Sequence, residues 1–279
     1  MLGKLRCIAL VFVIILGPST FSVADHPFQF QETPRDYFPT YEWRVCEPEE
    51  QGMNSTRLSE MMTYIDESNW PIDSVIVVRG GYIVWEEYPT QEYNMDYFHT
   101  QQSVSKSFTS ALVGIAIEQG LFRIDDAIVD LFSDRNITEL DERKEHMTIW
   151  HLLTMTAGVE WDEWTYPYTD TENNNLAAMV TADDAVDYFL NLPMAYEPGE
   201  QWVYNSGASI ILGVLIEKFS NQTLVDFTDE YLFGPIGIPG CVWQKTLNDV
   251  YQAGGGLWLK PRDMVRFGYL YLNGGRWNG

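Results

Sequence analysis

The sequence predicts an α/β (α+β) fold, an antiparallel sheet flanked by helices and joined to an all-helical section, on three observations. Residues 73–79 and 82–88 are β-branched and aromatic runs either side of Gly80-Gly81, the pattern of a two-residue hairpin. A helical pattern follows over 104–120 and stops at Gly120, a residue suited to a helix end. From there to about residue 250 the chain reads as a helical subdomain, broken by Pro-, Gly- and Asn-rich loops. This order suits layered strands and helices, not a sandwich or a bundle.

Along the chain, residues 1–24 carry Lys4 and Arg6, an apolar run over 7–16 and the small-x-small site Ser22-Val23-Ala24, which reads as a signal peptide. The expected product is secreted or periplasmic. No later stretch has the ~18 consecutive apolar residues of a membrane span, so none is expected once the leader is removed. Residues 25–50 read as an extended lead-in and 51–279 as the globular domain. Ser55 is placed to cap a helix over 56–67, with Leu58, Met61, Met62 and Ile65 on one face. Beyond the hairpin and its following helix, short or apolar helices are expected over 148–154, 182–192, 208–219 and 223–232, with a long aromatic and Asn-rich loop over 161–175. Pro261 opens a last helix ending at Leu272. A hairpin alone is not a stable sheet, so the sheet reads as incomplete, its further C-terminal strands expected beyond Gly279.

Composition narrows the function. With 279 residues, 46% of them hydrophobic and 20% charged, the chain supports a globular core and excludes a fibre or a disordered segment. The 40 acidic against 17 basic residues give a net charge of −23, which argues against a nucleic-acid partner. Loss of the leader leaves Cys46 and Cys241, a pair that an oxidising compartment allows to bridge but that sequence alone does not join. His26, His99, His146 and His151 lack ligand spacing, so no metal is expected, and His151 reads as a helix-capping or packing residue. A G-x-S-x-G elbow, a P-loop and a dinucleotide fingerprint are absent, and no cofactor is expected; Gly254-Gly-Gly256 reads as a backbone turn.

The chemistry-bearing pattern is Ser103-Val-Ser-Lys106 at the start of the helix after the hairpin. At i and i+3 the amine of Lys106 reaches the hydroxyl of Ser103, and the helix N-terminus favours developing negative charge there. A serine hydroxyl becomes a competent nucleophile when a base takes its proton. Read alone, the pair also fits an N-cap serine beside a solvated lysine. A second piece is Tyr204-Asn205-Ser206, after the turn Glu197-Pro-Gly-Glu200. Its phenol suits a general base and acid if held near Lys106, or a ring packing on Trp202.

Together with Ile149-Trp-His-Leu-Leu-Thr-Met-Thr-Ala-Gly158 and Gly255-Gly-Leu-Trp-Leu-Lys-Pro-Arg-Asp-Met-Val-Arg-Phe-Gly268, these motifs resemble the serine hydrolases of the class C β-lactamase and penicillin-binding protein superfamily. The resemblance covers about 71–279 and implies a β-lactamase/transpeptidase-like fold with Ser103 acylated, Lys106 its partner, Tyr204 the general base and Ser206 at a substrate-binding position. It implies a small ester, amide or peptide as substrate. Ser206 stands where β-lactamases usually carry Asn, which resembles the esterase and 6-aminohexanoate-dimer hydrolase branch. The family's Lys/His-x-Gly strand has no counterpart here; Lys245-Thr-Leu247 lacks its glycine and precedes the helix it would follow.

Overall fold

The computed structural model describes residues 37–90 and 92–278, and the backbone of a strand at Val11–Leu16. The chain divides into two compact units, one formed within Met1–His99, Phe233–Gly240 and Leu259–Gly279, the other within Thr100–Leu232 and Cys241–Trp258.

The first unit carries a sheet of four strands, β1 (Val11–Leu16), β2 (Arg44–Val45), β3 (Ser74–Arg79) and β4 (Tyr82–Glu87), in the order β1-β3-β4-β2. Its centre is the expected hairpin: Arg79 faces Tyr82 and Val78 faces Ile83. Gly80 and Gly81 both have positive φ, 63° and 92°, the backbone a tight two-residue hairpin needs and side-chain-bearing residues resist. The two outer strands pair parallel, so the sheet is mixed and only its central hairpin is antiparallel. β2 lies inside the stretch read as an aperiodic lead-in; two residues are too few to show a period, and tertiary pairing makes the strand. β1 lies inside the segment read as a signal peptide, whose other residues lie outside the described ones.

Alternation along β3 builds two cores. Ile76 and Val78 join Trp43, Ile83, Val265 and Tyr269 on one face, whereas Val75 and Val77 join Leu58, Ile65, Ile72 and Val84 on the other. The first face packs on α8 (Pro261–Leu272) and the second on α1 (Ser55–Glu67), so every β3 side chain from Val75 to Val78 is buried. The cap of α1 is Asn54, not Ser55: Asn54 Oδ1 accepts from Arg57 N at 3.0 Å, while the Ser55 hydroxyl is engaged with Glu49 Oε1 at 2.7 Å.

The second unit is mostly helical. It holds α2 (Ser105–Glu118), α3 (Ile149–Leu153), α4 (Asn175–Thr181), α5 (Ala185–Leu190), α6 (Ser206–Ser220) and α7 (Leu224–Thr228), with four-residue turns at Ile128–Leu131 and Glu142–Glu145. Buried α6 is its axis and packs on α2, α3 and α7. A short ladder sets Val242 opposite Trp258 and Trp243 opposite Leu257. Caps account for two departures from the sequence reading, and α7 also ends at Thr228, short of the expected 232. Asp184 accepts from Val186 N and Asp187 N, so α5 starts at Ala185 and not 182. Asn174 caps α4 through Ala177 N, adding a helix where a loop was read to 175. The thiols of Cys46 and Cys241 are free. Burial, with Asp229 nearby, pushes the Cys241 thiol up to about 12.

Candidate active site

All four residues singled out in the sequence meet within the second unit. Ser103 lies in a 3-10 turn, Gln102–Val104, that leads directly into α2, so its hydroxyl is exposed at the helix's N-terminal end. Lys106, in the first turn of α2, is half-buried and directs Nζ to three acceptors: Ser103 Oγ at 3.4 Å, Ser206 Oγ at 2.9 Å and the Gly254 carbonyl at 2.5 Å. Three acceptors use the three protons of an ammonium. Tyr204 Oη donates to Ser103 Oγ at 2.5 Å, and the Lys106 ammonium sits 4.7 Å from the centre of the Tyr204 ring.

The backbone explains how these groups converge. Asn205 caps α6, its Oδ1 accepting from Ala208 N at 2.9 Å, which ends the extended approach of Tyr204 and places Ser206 in the first helical turn. Thr109 Oγ1 donates to the Ala253 carbonyl at 2.8 Å, pinning the turn that offers Gly254. Gly254 must be glycine because a Cβ there would stand 2.7 Å from the Ser206 carbonyl. The glycine turn read from sequence is therefore also part of the site.

One residue that sequence reasoning did not find completes the network. Glu163 is 2% exposed and accepts three hydrogen bonds, each of 2.8 Å, from Ser206 N, Ser206 Oγ and Trp161 Nε1. Ser206 Oγ thus accepts a hydrogen bond from Lys106 Nζ and donates one to a buried carboxylate. Gly207 makes room for this: a Cβ would meet the Trp161 ring at 2.5 Å. The signal in the sequence was a pair of acids, Asp162 and Glu163, set between Trp161 and Trp164.

That loop is tied at both ends. Asp162 Oδ1 accepts from Trp164 N at 2.9 Å and Thr165 N at 3.0 Å, and these amides hold its carboxyl below the ordinary range. Asn174 Nδ2 donates to the carbonyls of Glu163 and Tyr166 at 3.2 and 2.8 Å. The Tyr168 phenol is pushed up by burial and by nearby Glu163 and Tyr204. The other cations of the unit are engaged: Arg123 with Asp125, Arg135 with Asp184 and Asp187, Arg143 with Asp141, Lys218 with Asp134, Lys245 with Asp249, and buried Lys144 on the carbonyls of Leu190 and Leu192. His151, at the capping box of α3, accepts from Thr148 N through Nδ1 at 3.0 Å, the capping role expected of it. Among the described residues, no group of three or more His, Cys, Asp or Glu is placed to hold a metal ion.

Residues 60–278 match the family model described as Beta-lactamase. The chain belongs to the β-lactamase family. Its relatives in that family include penicillin-binding protein 4* of Bacillus subtilis, 26% identical over 187 residues that make up 62% of this chain and 39% of that protein. Lovastatin esterase of Penicillium rubens is 22% identical over 192 residues, 62% of this chain and 46% of the esterase. The chain therefore spans less than half the length of these two relatives. Among solved structures, a Bacillus anthracis protein provisionally assigned as a 6-aminohexanoate-dimer hydrolase superposes with a TM-score of 0.66 at 23% identity, covering 78% of this chain and 58% of the other. The octameric penicillin-binding protein homologue of Pyrococcus abyssi gives 0.61 at 18% identity, covering 78% and 56%. The β-lactamase/transpeptidase-like fold expected from the motifs is the fold of this chain, a member of a serine hydrolase family.

Proposed function

We propose that the protein is an exported serine hydrolase that cleaves a small ester or amide through an acyl-enzyme on Ser103. The observation that carries this reading is the convergence on Ser103 Oγ of Tyr204 Oη at 2.5 Å and Lys106 Nζ at 3.4 Å. For attack the Tyr204–Ser103 hydrogen bond reverses: Tyr204 Oη, its own proton given up to solvent, takes the Ser103 proton as Oγ bonds to the carbonyl carbon and the carbonyl electrons move onto oxygen. The N-terminal end of the helix and the Lys106 ammonium favour that negative charge. Collapse of the intermediate breaks the bond to the leaving group, which takes from Tyr204 the proton that left Ser103. Water then repeats the sequence on the acyl-enzyme. Ser206 in this scheme orients Lys106, and the hydroxyl in place of an amide side chain supports an esterase-like branch over a β-lactamase or D,D-peptidase. The leader-like pattern of residues 1–24 supports export to the periplasm or beyond the cell, and its removal would take the edge strand β1 out of the sheet. Among the described residues, no helix is long and apolar enough to cross a membrane.

The test is Ser103→Ala with a short-chain ester, a fluorophosphonate probe, nitrocefin and a D-Ala-D-Ala peptide. The parent takes the probe and hydrolyses the ester, and the variant does neither. Probe labelling that survives the substitution refutes the assignment, and nitrocefin or peptide turnover exceeding that of the ester moves the protein to the other branch. A parent chain that is never acylated would point instead to a binding module of the same fold.

A further inference from the structure

Trp164 and Trp202 flank the Tyr204 ring with centroids 5.2 and 6.2 Å away, yet they are 68% and 59% exposed. Tyr166 and Tyr168, on the same loop as Trp164, are exposed too. Single exposed aromatics need no explanation, but grouped ones beside a reactive hydroxyl mark a contact surface. The loop that presents them is not slack, because Asp162 ties the amides of Trp164 and Thr165, and Asn174 ties the carbonyls of Glu163 and Tyr166. The backbone that carries Trp164 and Tyr166 is thus set in place before any ligand arrives, which lowers the cost of binding.

The position of this aromatic shelf says which half of a substrate it meets. Under the reading above, on which this inference rests, Tyr204 returns its proton to the leaving group, so rings packed around Tyr204 lie beside that group. Charge says what kind of group suits it. The shelf presents aromatic rings, which are electron-rich at their faces, and among the described residues the lysines and arginines of the unit, Lys106 included, are bound to carboxylates, carbonyls or hydroxyls. We propose that the leaving group is an uncharged, aromatic-bearing alcohol or amine, held by Trp164 and Trp202, and that leaving groups carrying a carboxylate are selected against.

The test compares hydrolysis by the full chain of three acetates, those of ethanol, 2-phenylethanol and 2-(4-carboxyphenyl)ethanol, by titrating the acetic acid released. The three alcohols leave with similar basicity, so ratios of kcat/KM report contact with the leaving group. The expected preference for phenylethyl over ethyl acetate is about tenfold or more, and it falls by about tenfold in Trp164→Ala/Trp202→Ala. Trp150→Ala, at an exposed tryptophan on α3, leaves the preference unchanged. Because the readout is a ratio, loss of some folded protein does not move it. An unchanged preference in the double variant, an equal fall in Trp150→Ala, or faster cleavage of the carboxylated ester overturns the proposal. Ser103→Ala separates the two readings: acetate release that survives it overturns the assignment of Ser103, whereas release that is abolished, with the preference intact in the tryptophan variant, overturns the shelf alone.

Discussion

Glu163→Gln is the substitution that most directly probes the network behind Lys106. Glu163 is 2% exposed, and its two oxygens accept three 2.8 Å hydrogen bonds, two from Ser206 and one from Trp161. Glutamine keeps the shape but offers one acceptor oxygen. If that oxygen stays on Ser206 N and Trp161 Nε1, the amide nitrogen faces Ser206 Oγ, whose own proton then loses its partner. A hydrogen bond to a charged group contributes about 1.5–3 kcal/mol and one between neutral groups about 0.5–1.5, so weakening two of the three bonds and losing the third costs roughly 4 kcal/mol. In a chain of this size that lowers Tm by about 8–16 °C, read by the tryptophan fluorescence of a thermal melt. Ester hydrolysis falls further than the fraction unfolded accounts for, because Ser206 no longer holds Lys106 against Ser103. A variant as stable and as active as the parent refutes the reasoning, and a variant that melts early but hydrolyses normally at low temperature limits Glu163 to a structural role.

Gly207→Ala forces a Cβ to within 2.5 Å of Trp161 and 2.9 Å of Met179 Sδ, and is expected to cost about 1–3 kcal/mol in a urea titration; a midpoint unchanged from the parent would mean that the indole moves aside freely. Burial holds the His151 pKa below its unfolded value, so the unfolded chain binds a proton first as pH falls through 6.5, and stability declines below that pH until the folded group also titrates. The loss of urea midpoint between pH 7.5 and 5.5 should therefore be larger in the parent than in His151→Gln. With its thiol pushed up to about 12, Cys241 should resist iodoacetamide at pH 8 in the folded protein and react once urea is added, as read by mass spectrometry. Tyr204→Phe removes the group that exchanges a proton with Ser103 and should lower kcat by about 10²- to 10⁴-fold without changing the melt; a kcat within threefold of the parent would remove Tyr204 from the chemistry.

By itself the sequence determined the hairpin, most helix positions and the residue types at the candidate site, because each follows from short-range rules. Gly80 and Gly81 set a turn, the β-branched run over 75–78 marked a strand, and Ser103 and Lys106 are three residues apart on one strip of backbone. Local rules misplaced what depends on a choice among neighbours. Asn54 and Ser55 are both good caps, and the choice fell to Asn54 because Glu49 engages the Ser55 hydroxyl. β2 and α4 were hidden for the same reason, one being too short to show a period and the other being started by a cap inside an Asn-rich loop. Only the tertiary structure decided which groups surround Lys106. Ser206 is 100 residues away in sequence, Gly254 is 148, and Glu163 reaches Ser206 across 43. Such contacts leave no period in the chain, and an acid beside Asp162 in an aromatic and Asn-rich loop looks like solvated surface until folding buries it. The physical reason is that a buried carboxylate persists only where donors converge on it, and that convergence is a property of packed helices and glycine gaps, not of any stretch of residues.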